Sequence, residues 1–241
     1  MINDKNKVIA LLASYNPNRE GREWLRNNPL TMIVSMTSAG KNTIAAELVK
    51  TGNFKIVVTD TTRARRSNNG IQEINGQNYW FVTQENFLEN VKKGDYAEAA
   101  IVYDSDLYGS RISEIQRTCQ NNQKAILVVD VDGCQHIMQY APSSRAIFLL
   151  PPSLTRWLER IESRGYMATE EKRRRMQTAL KEMQSALAKN YFTFFINDDL
   201  ATTVKLIEPF LNGQKPDLAY QQVAKKVANQ LIADTQDYLN R

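Results

Sequence analysis

Short, continuous apolar runs constrain this chain more than any other feature. Thr31–Met36, Ala125–Val131 and Arg145–Leu150 place hydrophobic residues at successive positions, where a half-exposed strand would alternate. Strands buried on both faces read this way, and they belong to parallel sheets covered by helices. Other strand-like runs are Lys55–Asp60, Tyr79–Thr83, Tyr96–Tyr103 and Tyr191–Asn197. Helical patterns fill the intervals at Asn42–Lys50, Gln84–Lys92, Ser110–Gln120 and Leu154–Arg164, with a long one from Ala168 to Lys189. The expected fold class is α/β, a mostly parallel sheet flanked by helices. Residues 1–29 read as a polar preface with some helical character, ended by the turn Asn27-Asn28-Pro29. Residues 200–241 read as a helical tail interrupted at Asn212-Gly213 and Pro216.

Composition narrows the function classes. With 241 residues, 42% hydrophobic and 24% charged, the chain can bury a core and is unlike a disordered or low-complexity sequence. No run approaches the roughly 18 apolar residues of a membrane span, and Met1–Lys7 lacks the basic-then-apolar order of a signal peptide. Cys119 and Cys134 are too few and too distant for a zinc knuckle or disulfide framework, so a cytoplasmic, reducing location is expected. The net charge of +5 leaves nucleic acid, membrane surfaces and small phosphates as partners. Three Arg against one Asp in Asp60–Arg66, and seven basic residues against four Glu in Arg156–Arg175, carry that whole surplus. No aromatic-basic interleaving or RNA-binding motif accompanies it, so neither nucleic acid nor membrane is an expected partner.

Two segments have the chemistry to hold phosphate. Ser35-Met36-Thr37-Ser38-Ala39-Gly40-Lys41-Asn42-Thr43 follows an apolar strand and opens a helix. A phosphate-binding loop needs that context: small residues whose amides turn inward, then Gly-Lys at a helix start to meet the β/γ charge. Ser35 stands where the motif has Gly, and Asn42 stands where it has Ser or Thr; an Asn carbonyl oxygen would be a weakened Mg²⁺ ligand, with Thr43 adjacent. On the loop alone, a plain strand-turn-helix is an equal reading. The second segment, Thr59-Asp60-Thr61-Thr62-Arg63-Ala64-Arg65-Arg66, ends a strand with arginines spaced to grip one anion. Its bland alternative is a solvated basic loop. Arg156, Arg160 and Arg164 form a helical stripe, which in isolation is a solvated face. Asp130, ending an apolar strand, can orient magnesium-bound water or contact an acceptor, whereas lone His136 reads as packing.

Taken in order, these segments resemble the guanylate kinases, P-loop enzymes that phosphorylate GMP with ATP. The Thr61-Thr62-Arg63-x-x-Arg66 element is followed by Glu73-Ile-Asn-Gly-Gln-Asn-Tyr79, then by Gly94-Asp-Tyr-Ala-Glu98, a Leu107-Tyr-Gly-Ser110 turn, Leu150-Pro-Pro-Ser153 and Asn197-Asp-Asp-Leu200. The resemblance runs from about Thr31 to Pro209. It implies a P-loop NTPase core with a small mixed-sheet GMP-binding lobe over about 59–110 and a helical lid over about 154–185. The domain would then span 30–210, with extensions at 1–29 and 211–241.

It also implies roles. Lys41 and the amides of Ser35–Thr43 would hold the ATP phosphates, with Asn197 near the adenine and Mg²⁺ as cofactor. Arg63, Arg66, Tyr79 and Tyr108 would hold the GMP phosphate, Glu98, Thr59 and Ser110 the guanine, and Asp130 would lie beside the acceptor. Arg160, Arg164 and Arg175 would form a lid over the transferring phosphoryl. Two departures, extra residues around Ser67–Gly70 and between Glu98 and Tyr108, touch the acceptor lobe. They keep in view a kinase for another phosphate ester, while Ser35, Asn42 and Val128 keep in view a binding module with weakened catalysis. The protein would be a monomer or homodimer.

Overall fold

All five side chains of β1 (Thr31–Ser35) are buried, as a central parallel strand requires. The computed structural model describes residues 4–68, 71–102, 106–120, 123–163, 165 and 167–240. Among them, β1, β2 (Phe54–Ile56), β9 (Lys124–Val128), β10 (Arg145–Leu150) and β11 (Phe192–Ile196) form a parallel sheet in the order β11-β10-β1-β9-β2. A mixed sheet runs β6 (Trp80–Phe81), β3 (Asp60–Thr61), β8 (Asp106–Arg111), β7 (Tyr96–Val102), and β4 (Ser67–Asn68) pairs with β5 (Ile71–Gln72). The α/β class expected from the apolar runs is the one observed.

The chain divides into two compact units. One takes in the chain as far as Leu30, Phe54–Leu127 and Asp132–Ser144. It holds the mixed sheet with helices α1 (Lys5–Ala13), α2 (Arg19–Asn27), α4 (Gln84–Lys93), α5 (Ile112–Thr118) and α6 (Val131–Tyr140). Helix α4 shows why the sequence starts and stops where it does. Thr83 accepts from the Asn86 amide at 3.2 Å as N-cap, and Gly94 ends the helix in the left-handed conformation at φ 73°.

The other unit comprises Thr31–Asn53, Val128–Val131 and the chain from Arg145. Here β1 pairs with β10 from Thr31↔Arg145 to Ser35↔Leu149, and β10 pairs with β11 as far as Leu150↔Ile196. Its helices are α3 (Lys41–Lys50), α7 (Leu154–Glu162), α8 (Thr169–Leu187), α9 (Leu200–Leu211) and α10 (Leu218–Leu239). The register ends all three strands at one carboxyl edge, the edge at which open α/β sheets bind ligands.

Several expected boundaries are corrected. The run Lys55–Asp60 splits into β2 and β3, which serve different sheets. The run to Val131 stops as a strand at Val128, and Val131 already begins α6. Leu107–Ser110, expected as a turn, is the middle of β8, and the helix expected from Ser110 starts only at Ile112. Gly109 explains that error: a Cβ there would stand 2.8 Å from the Tyr96 ring and 3.0 Å from Phe87, so the glycine serves close packing within a strand. The tail is two helices, parted near Asn212-Gly213 as expected. Tyr103 and Arg164 lie outside the described residues.

Candidate active site

The phosphate-loop candidate emerges at the carboxyl end of β1. Ser38 and Gly40 both have left-handed backbones, at φ 59° and 97°. Gly40 has no substitute there, since a Cβ would fall 2.4 Å from Asn197 Nδ2. The loop carbonyls are tied from outside: Trp157 Nε1 donates to Thr37 O and Asn197 Nδ2 to Ala39 O, each at 2.8 Å. Backbone that alternates in this way gathers its amides on one side, a concavity suited to an anion. Gly40 also offers no side-chain cap to α3, so the first-turn amides at Lys41, Asn42 and Thr43 are left for another acceptor. Ser35, in place of the motif's glycine, is buried and turns its hydroxyl onto Met36 O at 2.9 Å.

Asn197 is thus a strut of the loop. It follows β11 directly, its amide nitrogen donates to Leu150 O at 2.7 Å, and its own carbonyl accepts from Arg160 Nη2 at 2.7 Å. This chain of bonds puts Arg160 one residue from the loop. Burial, and then Arg156, lower the Arg160 pKa. Asn197→Ala leaves Ala39 O without its donor. The expected result is a loss of about 1–3 kcal/mol, read by thermal unfolding, and a raised KM for ATP with KM for the acceptor unchanged.

The other expected residues of this unit are less gathered. Arg175, on α8, donates to Glu171 Oε1 at 2.7 Å on its own helix. Asp130 lies in the connection between β9 and α6. Of the neighbours of Arg175 on α8, Lys172 pairs with Glu162 at 2.8 Å and Arg173 donates to Leu239 O at 2.6 Å, so both have structural work.

In the first unit several of the residues expected to meet the acceptor lie together. Arg63 leaves the end of β3 and is only 7% exposed. Its guanidinium donates to both Glu73 oxygens at 2.9 and 2.8 Å, and its Nε donates to Tyr108 Oη at 3.0 Å. The rings of Tyr79 and Phe81 stand 5.3 and 5.8 Å from it. Burial opposes the Arg63 charge, but the Glu73 and Tyr108 contacts outweigh it and raise its pKa. Arg66 is exposed, its amide donating to Glu73 Oε2 at 2.7 Å. Glu73 therefore shapes the whole arginine element. It was visible within the Glu-x-x-Gly-x-x-Tyr element but carried no expected role, and Trp157 gave no signal beyond core packing.

Along β8, Tyr108 and Ser110 share a face by strand alternation, and Glu98 of β7 lies opposite Ser110. Ser110 Oγ donates to Glu98 Oε1 at 2.6 Å, with Glu98 6% and Ser110 0% exposed. A buried carboxylate beside a hydroxyl, on the face that also carries Tyr108, can read a polar base edge. Thr59 sits just before β3, its carbonyl accepting from Trp80 N at 2.9 Å. In the region of the extra loop residues, Ser67–Asn68 form β4, where Ser67 pairs with Gln72 of β5, while residues 69 and 70 lie outside the described residues.

A Gly-Lys loop at the carboxyl edge of a parallel sheet is the mark of the P-loop nucleotide-binding class. The family described as guanylate kinase matches residues 27–214. The guanylate kinase of Clostridioides difficile (strain 630) is 32% identical over 193 residues, covering 80% of this chain and 91% of its own. That of Pseudomonas fluorescens (strain Pf0-1) is 32% identical over 195 residues, with 80% and 91% covered. The crystal structure of the Anaplasma phagocytophilum guanylate kinase superposes with a TM-score of 0.58 at 24% identity, over 79% of this chain and 88% of that one, which supports the fold. This chain belongs to the guanylate kinase family, and so to the ATP-dependent nucleoside monophosphate kinases.

Proposed function

We propose that the chain transfers the γ-phosphoryl of ATP to GMP or dGMP, giving ADP and the corresponding diphosphate. The observation that carries the acceptor assignment is the buried Glu98–Ser110 pair on the face of β8 that also bears Tyr108, the partner of Arg63. Glu98 would accept from guanine N1 and N2, while Arg63, Arg66, Tyr79 and Tyr108 would hold the monophosphate. A phosphate oxygen of the acceptor attacks the γ-phosphorus, and the bond to the β,γ-bridging oxygen breaks to release ADP. Such transfers depend on placement and positive charge more than covalent chemistry. Lys41 and the loop amides would hold the donor phosphates, with Arg160, Arg164 and Arg175 gathering about the transferring group on closure.

The donor set suits Mg²⁺. Asn42 and Thr43 are exposed at the start of α3 and offer neutral oxygens, and this ion keeps waters and substrate phosphates as most of its ligands. When bound it would neutralise charge between the β- and γ-phosphates. Among the described residues no group of three or more His, Cys, Asp or Glu could bind a metal, and no helix is long and apolar enough to cross a membrane.

A coupled ADP assay with ATP, Mg²⁺ and GMP, dGMP, AMP or no acceptor tests the reading. GMP and dGMP are expected to turn over, with AMP poorer by at least about a hundredfold. Equal rates with AMP and GMP would remove Glu98 as a guanine reader. Phosphorylated-ligand binding without any Mg²⁺-dependent ATP affinity would favour the binding-module alternative.

A further inference from the structure

Strand β7 shifts register between Tyr96, opposite Arg111, and Glu98, opposite Ser110. Ala97 is the additional residue, so a bulge stands immediately before the carboxylate assigned to guanine. A bulge takes backbone groups out of the ladder and re-aims the side chains around it. Moreover, among the described residues β7 is an edge strand of its sheet, and no strand neighbours Tyr96 on its outer side.

One phenol fills that place. The Tyr96 amide donates to Tyr15 Oη at 2.8 Å, and Tyr15 Oη donates to Tyr96 O at 2.5 Å. Burial raises the Tyr15 pKa far above its ordinary value, so the hydroxyl keeps the proton it donates. The ring is fixed as well: it stacks on His136 with centroids 5.8 Å apart and packs with Val8, Phe87, Val91 and Leu107. A second fastening lies just upstream, where Asn18 N donates to Gly94 O at 2.9 Å. Gly94 admits no side chain there, because a Cβ would fall 2.5 Å from Asn18 N.

From Tyr96 the connection continues inward. Its own hydroxyl donates to Asp60 Oδ2 at 2.8 Å, and Arg111 Nε donates to Asp60 Oδ1 at 2.9 Å. Asp60 is fully buried and begins β3, the strand that leads to Arg63, while Arg111 ends β8 beside Ser110. Tyr15 itself precedes the family-matched residues 27–214.

We propose that Tyr15 is a positioning residue for the acceptor: its hydroxyl replaces the missing strand partner at the bulge and thereby fixes where Glu98 points. The role in recognition rests on the guanine reading above; the clamp on the bulge does not. Guanine recognition in this chain is then completed by a segment outside the family-matched region.

Tyr15→Phe removes the hydroxyl and keeps the ring, whereas Val8→Ala loosens the same cluster and leaves the hydroxyl. In ligand-free protein, hydrogen exchange at Tyr96–Glu98 is expected to accelerate in Tyr15→Phe. Its KM for GMP should rise about tenfold, the scale of a buried polar group left unpaired, with KM for ATP within about twofold. Val8→Ala should lower Tm yet leave KM for GMP in place. Unchanged exchange or unchanged KM for GMP in Tyr15→Phe overturns the proposal. An equal rise in Val8→Ala at matched loss of Tm does so too, since it would reduce Tyr15 to general packing. A wild-type chain that transfers nothing to GMP overturns the recognition role along with the guanine reading, and the exchange rates then decide the clamp alone.

Discussion

Lys41→Ala is expected to lower kcat for phosphoryl transfer by about a thousandfold while leaving the melting temperature essentially in place. Lys41 opens α3 behind Gly40, where the helix has no side-chain cap. Among the described residues its ammonium enters no ion pair, and the side chain is only partly buried. Removing it therefore exposes no buried partner and opens no cavity in the core. On the proposed role, what would be lost is a positive charge directed at phosphates whose negative charge shifts during transfer, and such interactions act on the transition state more than on binding. Lys41→Arg should recover little, because a planar fork is longer and cannot act as a point charge within a loop closed by Trp157 and Asn197. The measurement is ADP release with Mg-ATP and GMP, with thermal unfolding alongside. A variant that retains wild-type kcat would show that the loop does not serve catalysis.

How much of this was legible in the sequence follows from what periodicity and composition encode. Continuous apolar runs announced buried parallel strands, and β1, β10 and β11 lie within a residue of their expected ends. In the mixed sheet β7 was legible as the run from Tyr96, but β3 and β6 have only two residues each, and in β8 Gly109 looks like a turn signal and is a packing requirement. Candidate residues could be named by type and order, but their partners could not. Nothing in the sequence pairs Arg63 with Glu73, ten residues on, or ties Tyr15 to Tyr96 across the chain. The basic surplus is also reinterpreted. Of the basic cluster over Arg156–Arg175, Arg156, Lys172, Arg174 and Arg175 are engaged by Glu159, Glu162 and Glu171, so much of that charge is balanced locally in this structure. Arg160 is different: it serves the Asn197 backbone, beside the phosphate loop.

Glu73→Gln should produce the largest loss of stability. Arg63 and Glu73 are 7% and 12% exposed at the side chain, and the carboxylate receives two guanidinium hydrogen bonds and the Arg66 amide. Removing one charge of a buried pair strands the other, at a cost of about 3–5 kcal/mol. In a chain of this size that corresponds to a fall in Tm of roughly 10 °C. The pH dependence has a defined sign. The hydrogen bonds from Arg63 lower the Glu73 pKa from its ordinary 4.5, while burial opposes them. Its stabilisation is then fully present above about pH 4.5 and is lost as pH falls through the lower folded value. Wild-type stability should drop across that acid limb more steeply than that of Glu73→Gln, which has no carboxyl to protonate. The double variant Arg63→Met/Glu73→Gln separates structure from function. With no stranded charge it should regain much of the lost stability, yet its KM for GMP should stay high, because the monophosphate would still lack the Arg63 guanidinium. Recovery of both stability and GMP affinity in the double variant would mean that Arg63 organises the fold of this unit and does not hold the acceptor.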